Sequence, residues 1–309
     1  MPLVRYKNRR SVGRTYRKKA APRRRSYGKK RAYRKKASTR RSLTDKMATK
    51  KRDIMVSSAV TGTNPVPGGA ASLNPIRING ATTNPSASGV HMMMFLPTYR
   101  YLQPNNAAYI AFRTSSRPYL KGIAETYSFL PNDGSVWYHR RIVVASKFVF
   151  TSDIGASQST SAQAGPGANS FRRFTDLTGQ TTGVYQTTWD LVQDQLFQGV
   201  KQTDWNDQMT AKVDNTRFTV LQDKRYALTS GNAAPRPYFR KHYVKIEKTI
   251  VYDDEENGTS ISPSPYSVDS KPGIGNVYVF DLFEAPVPID TVTSTLSISS
   301  TQTLYWHEK

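Results

Sequence analysis

Cysteine is absent from this 309-residue sequence, and histidine is rare. Without cysteine the chain has no disulfides, no thiolate metal ligands and no cysteine nucleophile. The four histidines, His91, His139, His242 and His307, are scattered at spacings that form neither a zinc site nor a catalytic pair. We therefore expect packed or surface imidazoles, no bound metal, no cofactor, no catalytic residues and no enzymatic activity.

Long apolar segments are also missing. No apolar run reaches the roughly 18–20 residues that a membrane-spanning helix needs. The charged beginning of the sequence is not followed by the apolar stretch of a signal peptide. We expect a soluble protein made in the cytosol, with no membrane insertion.

Acidic residues are few, and they are almost absent from one end. The chain holds 45 Lys or Arg against 22 Asp or Glu, a net charge of +23. Residues 1–52 contain 23 of these bases and one acid, Asp45, a local balance of +22. Residues 53–309 are therefore nearly neutral. A segment with so much charge and so few apolar side chains cannot offset its chain entropy, so we expect a disordered arm.

The arm has the composition of a nucleic-acid ligand. Arginine forks pair with phosphate oxygens, and the interleaved Tyr6, Tyr16, Tyr27 and Tyr33 suit stacking on unpaired bases. No pattern reads a base sequence, so we expect salt-sensitive, non-specific binding of single-stranded nucleic acid. The alternative is a solvated tail that only aids solubility. The predicted contacts are Arg5, Arg9, Arg10, Arg14, Arg17, Lys18, Lys19, Arg23, Arg24, Arg25, Lys29, Lys30, Arg31, Arg34, Lys35, Lys36, Arg40 and Arg41.

A second use of the arm is open at the same time. Clustered bases of this kind also act as nuclear import signals. Host nuclear import receptors are then a further partner, and the host nucleus a further location. The residues in question are Arg23, Arg24, Arg25, Lys29, Lys30, Arg31, Arg34, Lys35 and Lys36.

The body, residues 53–309, is predicted to be all-β. After a short apolar run at Asp53–Val56 comes a Pro/Gly-rich loop over 61–89 that holds at most a short strand at Ile76–Ile78. Val292–Trp306 alternates Thr or Ser with apolar residues, as a strand with one wet face does. Eight or nine strands joined by long loops favour an eight-stranded jelly roll, a β-sandwich. The strand candidates are 92–96, 107–114, 119–130, 137–150, 217–221, 225–228, 238–252, 277–283 and 292–306.

One helix and several turns complete this interpretation. Thr187–Gly199 has helical spacing, with Thr187 or Thr188 as N-cap and Gly199 as the C-terminal glycine. Residues 222–224 predict a hairpin turn between two short strands. We interpret Gly273-Ile274-Gly275 as a turn and not as a phosphate loop.

Charged groups on the body have ordinary interpretations beside functional ones. The acidic run Asp253–Glu256 is a solvated turn, or else a site for a divalent ion or a neighbouring subunit's bases. Asp204 and Asp207 are turn and cap residues, with an intersubunit contact as the second choice. The pairs Arg140-Arg141, Arg172-Arg173 and Arg240-Lys241 are solvated or interface pairs, or they extend the arm's contact with DNA.

Several segments have a recognisable sequence: Gly199-Val200-Lys201-Gln202-Thr203-Asp204-Trp205-Asn206-Asp207, Met209–Asp214, Val251–Glu255, Lys271–Asp281 and the junction Thr49–Asp53. Together they resemble the capsid protein of genomoviruses, small circular single-stranded DNA viruses. The resemblance is strongest in the last third of the chain, looser over 90–198 and only compositional in the arm. A more distant similarity is to geminivirus coat proteins.

The resemblance implies an eight-stranded jelly roll that assembles with copies of itself into a small T=1 icosahedral shell. It also implies an inward arm that packages circular single-stranded DNA, with the protein located in the virion. About 60 arms of +22 supply roughly 1,300 charges, which suits a genome of about one to two thousand nucleotides. The alternative is a cellular nucleic-acid-binding protein with a basic tail, and an enzyme on a β-sandwich is the weakest interpretation.

Overall fold

The structure, a computed structural model, describes residues 45–60, 71–80, 90–103, 110–150, 161–163, 166–178, 184–229, 236–285 and 294–309. All of them lie in one unit of the chain, Arg41–Lys309. They are mostly β-strand, with a helix α1 at Val184–Leu196. The strands are β1 (Thr49–Val60), β2 (Ala71–Ser72), β3 (Ile76–Asn79), β4 (Val90–Phe95), β5 (Tyr119–Pro131), β6 (Trp137–Ser146), β7 (Phe171–Phe174), β8 (Thr219–Leu228), β9 (Tyr238–Thr249), β10 (Glu255–Asn257), β11 (Ser260–Ser262), β12 (Asn276–Glu284) and β13 (Thr295–Glu308).

The principal strands form two antiparallel sheets. The first sheet has the order β1-β13-β5-β9, and the second has the order β4-β12-β6-β8. When these eight strands are renumbered in chain order, the sheets read 1-8-3-6 and 2-7-4-5. This is the strand order of a jelly roll, so the predicted fold class is confirmed.

Short strands extend the first sheet and form one hairpin outside it. β2 pairs with β1, β3 pairs with β13, and β7 runs parallel to β1. β10 and β11 pair only with each other among the described strands. The short strand predicted inside the 61–89 loop is present as β3, whereas 61–70 and 81–89 lie outside the described residues.

Side-chain alternation sets which face of the first sheet is buried. Along β13 every second residue, from Leu296 to Glu308, is buried, and the residues between them are half-buried or exposed. The inward side chains of β13, including Leu296, Ile298, Leu304 and Trp306, pack between the sheets. A period of two is what a strand with one wet face requires.

The second sheet is covered on both faces, which explains its apolar sequence. Val279 of β12 packs toward the first sheet, whereas Phe280 and Leu282 pack against the other side. On that other side lie α1, through Val192 and Leu196, and the segment that follows it. A strand buried on both faces reads as a continuous apolar run, as β12 does.

Four charged side chains meet in the interior between the sheets. Glu125 on β5 and Asp281 on β12 face Arg141 on β6 and Arg172 on β7, and all four side chains are fully buried. Arg141 Nη2 lies 2.7 Å from Glu125 Oε2, and Arg172 Nε lies 2.9 Å from Glu125 Oε1. Arg141 Nη1 lies 3.2 Å from Asp281 Oδ1, and Arg172 Nη2 also bonds Asp281. The charges balance, two against two.

Neutral groups complete this interior ion network. Tyr127 donates its hydroxyl to Asp281 Oδ2 at 2.8 Å, and Gln302 on β13 donates to Glu125 Oε2 at 2.6 Å. His139 Nε2 lies 2.9 Å from Asp281 Oδ1. Because buried charges persist only when they are paired and hydrogen-bonded, this satisfaction of the carboxylates is what allows the network to exist.

The network shifts the pKa of its members. Burial raises the pKa of Glu125 and of Asp281, but Arg172 and Arg141 outweigh it, and both values lie below the ordinary range. Burial lowers the pKa of His139, and burial with Arg141 lowers the pKa of His242 to about 4. Both imidazoles are therefore neutral at pH 7.

The structure differs from the sequence-based predictions at a predicted hairpin and at the start of the helix. Residues 219–228 form one continuous strand, so the hairpin predicted at 222–224 is wrong. Polar residues sit mid-strand there because β8 is an edge strand, and Asp223 accepts from the Arg140 guanidinium at 2.9 Å and 2.7 Å. Helix α1 starts at Val184, so Thr187 and Thr188 lie within it and not at its cap.

The ends of two predicted segments and one strand candidate also differ. The last four residues of the predicted arm, 49–52, belong to β1. The candidate strand 107–114 is absent from its described part, 110–114, where Arg113 makes only an isolated bridge to Leu102. Strand β6 ends at Ser146, four residues before the predicted end.

Replacing Asp281 by asparagine tests the interior ion network. The variant leaves two buried guanidinium groups facing one carboxylate, and we expect a loss of about 3–5 kcal/mol in the free energy of unfolding. Urea denaturation measures it. The exposed Asp269→Asn serves as control, with an expected change within about 0.5 kcal/mol. A loss below about 1 kcal/mol for Asp281→Asn contradicts the assignment.

Stability should fall as the solution becomes acidic. His139 and His242 have lowered pKa values, so the unfolded chain takes up their protons from about pH 6.5 downward while the folded chain resists. Below about pH 4 the depressed pKa values of Glu125 and Asp281 act in the same direction. His91 acts in the opposite direction at higher pH. Burial lowers its pKa, but Asp176 outweighs burial and raises it, so the stability that its protonation adds is present below about pH 6.5 and is lost as the pH rises above that value.

We expect His242→Gln to flatten the fall in unfolding free energy between pH 6.5 and 4, measured by urea denaturation at each pH. The matched control is His91→Gln, because the contribution of His91 to the slope lies above about pH 6.5, and this variant should leave the fall between pH 6.5 and 4 unchanged. An unchanged slope in the His242 variant contradicts the prediction.

Candidate functional site

All eighteen predicted nucleic-acid contacts, from Arg5 to Arg41, lie outside the described residues. The nine residues of the predicted import signal lie there too, and both sets remain predictions. The structure describes this site from Asp45 onward, where the chain enters the body. The geometry of that entry decides how the arm is held.

Strand β1 separates its bases onto two faces. Lys51, Asp53 and Met55 are buried, whereas Lys50 and Arg52 are exposed. Thr49–Val56 pairs residue by residue with Glu308–Thr301 of β13, which fixes this alternation. Of the bases closest to the body, one therefore points inward and two point out.

Lys51 anchors the beginning of the strand. Its Nζ lies 2.9 Å from Glu308 Oε2 and donates to Phe112 O at 2.9 Å and to Thr114 Oγ1 at 2.8 Å. Glu308 also accepts from Trp306 Nε1 at 2.8 Å and from the Thr114 backbone. The side chains of Lys51 and Glu308 are only 2% and 3% exposed, so solvent screens this pair little.

A second buried ion pair involves Asp53, two residues further along β1 on the same face. Arg100 Nη1 lies 2.6 Å from Asp53 Oδ2, and Arg100 Nε donates to Pro97 O at 3.1 Å. The Arg100 guanidinium also lies 5.4 Å from the centre of the Trp306 ring. Two ion pairs and one tryptophan thus fasten the first five residues of β1. Sequence analysis did not predict the interior roles of Lys51 and Asp53. The signal that could have found them is the alternation of buried and exposed residues along β1.

The acidic run divides into an interior residue and an exposed hairpin. Asp254 takes a bidentate contact from Arg113, at 2.6 Å and 3.0 Å, and Arg113 also lies 3.7 Å from the centre of the Tyr252 ring. Burial raises the pKa of Asp254, but Arg113 outweighs it and the pKa is lowered. Glu255 and Glu256 are exposed on β10. The run is therefore not a simple turn. It leads into a β-hairpin, and Asp254 anchors the start of that hairpin to Arg113.

Three of the six bases in the predicted pairs are interior residues. Arg140, Arg141 and Arg172 are fully buried and ion-paired, so they are neither solvated nor available to DNA. Their positions in the strands explain this, because β6 and β7 are covered on the faces that these side chains occupy. Arg240 is half-buried, whereas Lys241 is exposed on β9.

The remaining candidates have structural roles. Asp204 Oδ2 accepts from Val200 N at 2.7 Å beside Gly199, whose φ is 86°, and Asp207 Oδ1 accepts from Met209 N at 2.7 Å. Both are turn residues, as predicted. Gly273 and Gly275 have φ values of 78° and 92°, which fits the predicted turn.

The histidines are packed or paired. His91 Nδ1 lies 2.5 Å from Asp176 Oδ2 in the core, and His307 Nδ1 lies 2.9 Å from Asp45 Oδ1 at the entry of the chain. Within the described segments there is no cluster of three or more His, Asp or Glu side chains able to hold a metal ion. No helix in the same segments is long and apolar enough to cross a membrane.

Comparison with known proteins adds little to this geometry. No protein-family model matches the sequence, and no curated protein matches it. Among solved structures, the chain aligns with Trichodysplasia spinulosa-associated polyomavirus VP1 at 9% identity. The alignment covers 84% of this chain and 93% of that one, with a TM-score of 0.15. At that score the alignment supports no conclusion, and the fold assignment rests on the strand order.

Lys51→Met tests the anchor of the arm. The variant keeps the aliphatic length but leaves Glu308 buried without a cation, and we expect a loss of about 3 kcal/mol in unfolding free energy. Urea denaturation and hydrogen exchange of β1 amides measure it. Lys50→Met, one residue away on the exposed face, is the control and should change stability by less than about 0.5 kcal/mol. Equal losses of stability in the two variants would contradict the anchoring role of Lys51.

Proposed function

We propose that this chain is a viral capsid protein. Its jelly-roll body assembles with copies of itself, about 60 to a shell, and its basic arm packages circular single-stranded DNA. The observation that carries the proposal is the separation of charge. The arm holds +22, whereas the body combines near neutrality with buried arginines that its own carboxylates already neutralise.

The anchor of β1 supports a packaging role for the arm. An arm that binds a polyanion transmits force to the strand that follows it. The Lys51–Glu308 and Asp53–Arg100 pairs hold that strand to β13 and to the segment around Pro97. A rigid attachment lets many arms act on one DNA molecule while their bodies keep a fixed arrangement.

The energetics of packaging follow from counterion release. Each phosphate that a lysine or arginine neutralises frees a condensed ion, which makes binding strong at low salt and independent of base sequence. Closed symmetry multiplies weak contacts between identical bodies into a stable shell. Neither step needs a catalytic residue.

The arm also directs import into the host nucleus before assembly. Its bases between Arg23 and Lys36 have the clustering that import receptors bind. Binding to DNA and to a receptor requires the same cations, so the two uses are successive. A reporter fused to residues 1–44 that remains cytoplasmic contradicts this part of the proposal.

Electron microscopy and nuclease protection test the capsid proposal. We expect the full-length protein mixed with circular single-stranded DNA to form closed particles that protect the DNA. The matched variant replaces the eighteen predicted contacts by glutamine and keeps β1 intact, since deletion of residues 1–52 would remove Lys51. This variant should lose protection.

Two outcomes count against the proposal in different ways. A full-length protein that binds DNA but remains a monomer favours a cellular nucleic-acid-binding protein with a basic tail. A glutamine variant that still protects full-length DNA removes the packaging role of the arm while leaving assembly in place.

A further inference from the structure

The first sheet has one face that the second sheet does not cover. On this face, which we call the open face, the outward side chains of β1, β13, β5 and β9 lie side by side. The far side of the second sheet is covered along β4, β6 and β12 by α1 and the segment after it.

Strand registers place the outward residues of the open face in rows. One row runs Arg52, Tyr305, Gly122 and Lys245 across the four strands. The next row runs Ile54, Thr303, Ala124 and Tyr243, and the third runs Val56, Thr301, Thr126 and Lys241. Neighbouring strands are about 4.8 Å apart, and successive rows are about 6.7 Å apart.

The middle of these rows forms a shallow groove of about 410 Å³. Its floor is made of small side chains, Ala124, Thr126, Thr301 and Thr303, on the two central strands. Small residues at the centre with larger ones around them leave room for a flat or extended ligand. No described side chain fills this space.

Aromatic rings line one end and one side of the groove. Tyr243 is 56% exposed, and a Cβ at Gly122 would lie 2.8 Å from its Oη. The ring of Tyr243 therefore reaches over Gly122, toward Tyr305 on the adjacent strand. The glycine gives the ring a fixed position low on the sheet, and an exposed ring held in this way is a platform for base stacking.

Cations surround the rings on the same face. Lys241 and Lys245 are exposed on either side of Tyr243 along β9, and Lys50 and Arg52 are exposed on β1. Glu247 offsets part of this charge, because it lies 2.9 Å from Lys245 and 3.4 Å from Lys121. No carboxylate in the described segments pairs with Lys241, Lys50 or Arg52, so the face keeps a positive excess.

We infer that the open face binds single-stranded polynucleotide, with bases stacked on Tyr243 and Tyr305 and phosphates held by Lys241, Lys245 and Arg52. The inference deepens the proposed function and rests on it, because the polynucleotide is the one that the arm collects. The arm joins the body at Thr49, and Lys50 and Arg52 continue its positive charge onto this face. Cations beside the exposed ring of Tyr243 and the half-buried ring of Tyr305 suit nucleic acid better than an acidic peptide, which has no flat bases to stack.

Photochemical cross-linking of the full-length protein to an oligothymidylate that carries iodouracil is the direct test. Mass spectrometry then locates the adducts. We expect adducts on the tryptic peptides that hold Tyr243 and Tyr305, in addition to adducts in the arm. Adducts in the arm alone overturn this inference and leave the proposed function standing. The absence of adducts in both places overturns the two together.

Affinity measurements separate stacking from charge. Tyr243→Ala should weaken oligothymidylate binding by roughly tenfold without changing its salt dependence, and Tyr243→Phe should keep the affinity. Lys241→Ala with Lys245→Ala should lower the slope of log affinity against log salt by about 1.4. Lys224→Ala, exposed on β8 of the second sheet, is the control. A slope change per lysine as large at Lys224 as on the open face contradicts a specific site.

A second copy of the chain is the competing occupant of the open face. Its exposed acidic hairpin, with Glu255 and Glu256, carries the complementary charge. Carbodiimide treatment of DNA-filled particles joins lysines to carboxylates that contact them. Cross-links from Lys241 to Glu255 or Glu256 of a neighbouring copy would show that protein covers this face and overturn the inference, whereas their absence together with DNA adducts supports it.

Discussion

The interior ion network is the constraint on which the rest of the body depends. Glu125, Arg141, Arg172 and Asp281 come from four strands, two in each sheet layer, and each guanidinium contacts both carboxylates. Loss of any one of them leaves a charge buried without a partner, which costs far more than a lost surface pair. The two sheets therefore have one relative arrangement in which all four groups are satisfied. We propose that this requirement gives every copy of the body the same shape, which a closed shell needs.

The network also explains where positive charge is available to a ligand. Arginines that sequence analysis assigned to solvent or to DNA are used inside the body, so they add nothing to its surface potential. The body keeps exposed cations on the open face, where Lys50 and Arg52 follow the arm in sequence, and at other positions such as Lys224. Because Lys51 and Asp53 are held in the interior, the strand that follows the arm is fixed in position.

The sequence predicts the framework better than the interior. Strands β12 and β13 could be predicted from the sequence. β12 is buried on both faces and is a continuous apolar run, whereas β13 is buried on one face and alternates apolar with polar residues. The hairpin expected at 222–224 fails because an edge strand tolerates polar residues that look like a turn. The interior roles of Arg141 and Arg172 could not be predicted from the adjacent basic residues in the sequence, because only tertiary packing determines which arginine points into the ion network. Likewise, Tyr243 becomes noticeable only when Gly122, far away in the sequence, lies beneath its ring.

The central claim is that the arm, and not the body, contributes most of the binding free energy for DNA. The salt dependence of single-stranded DNA binding measures this most directly, because its slope counts the phosphates that are neutralised. For an arm of +22 the slope of log affinity against log salt should approach about −15, and it should collapse to roughly −3 when the eighteen arm bases are replaced by glutamine. Nearly equal slopes for the two proteins would contradict the account.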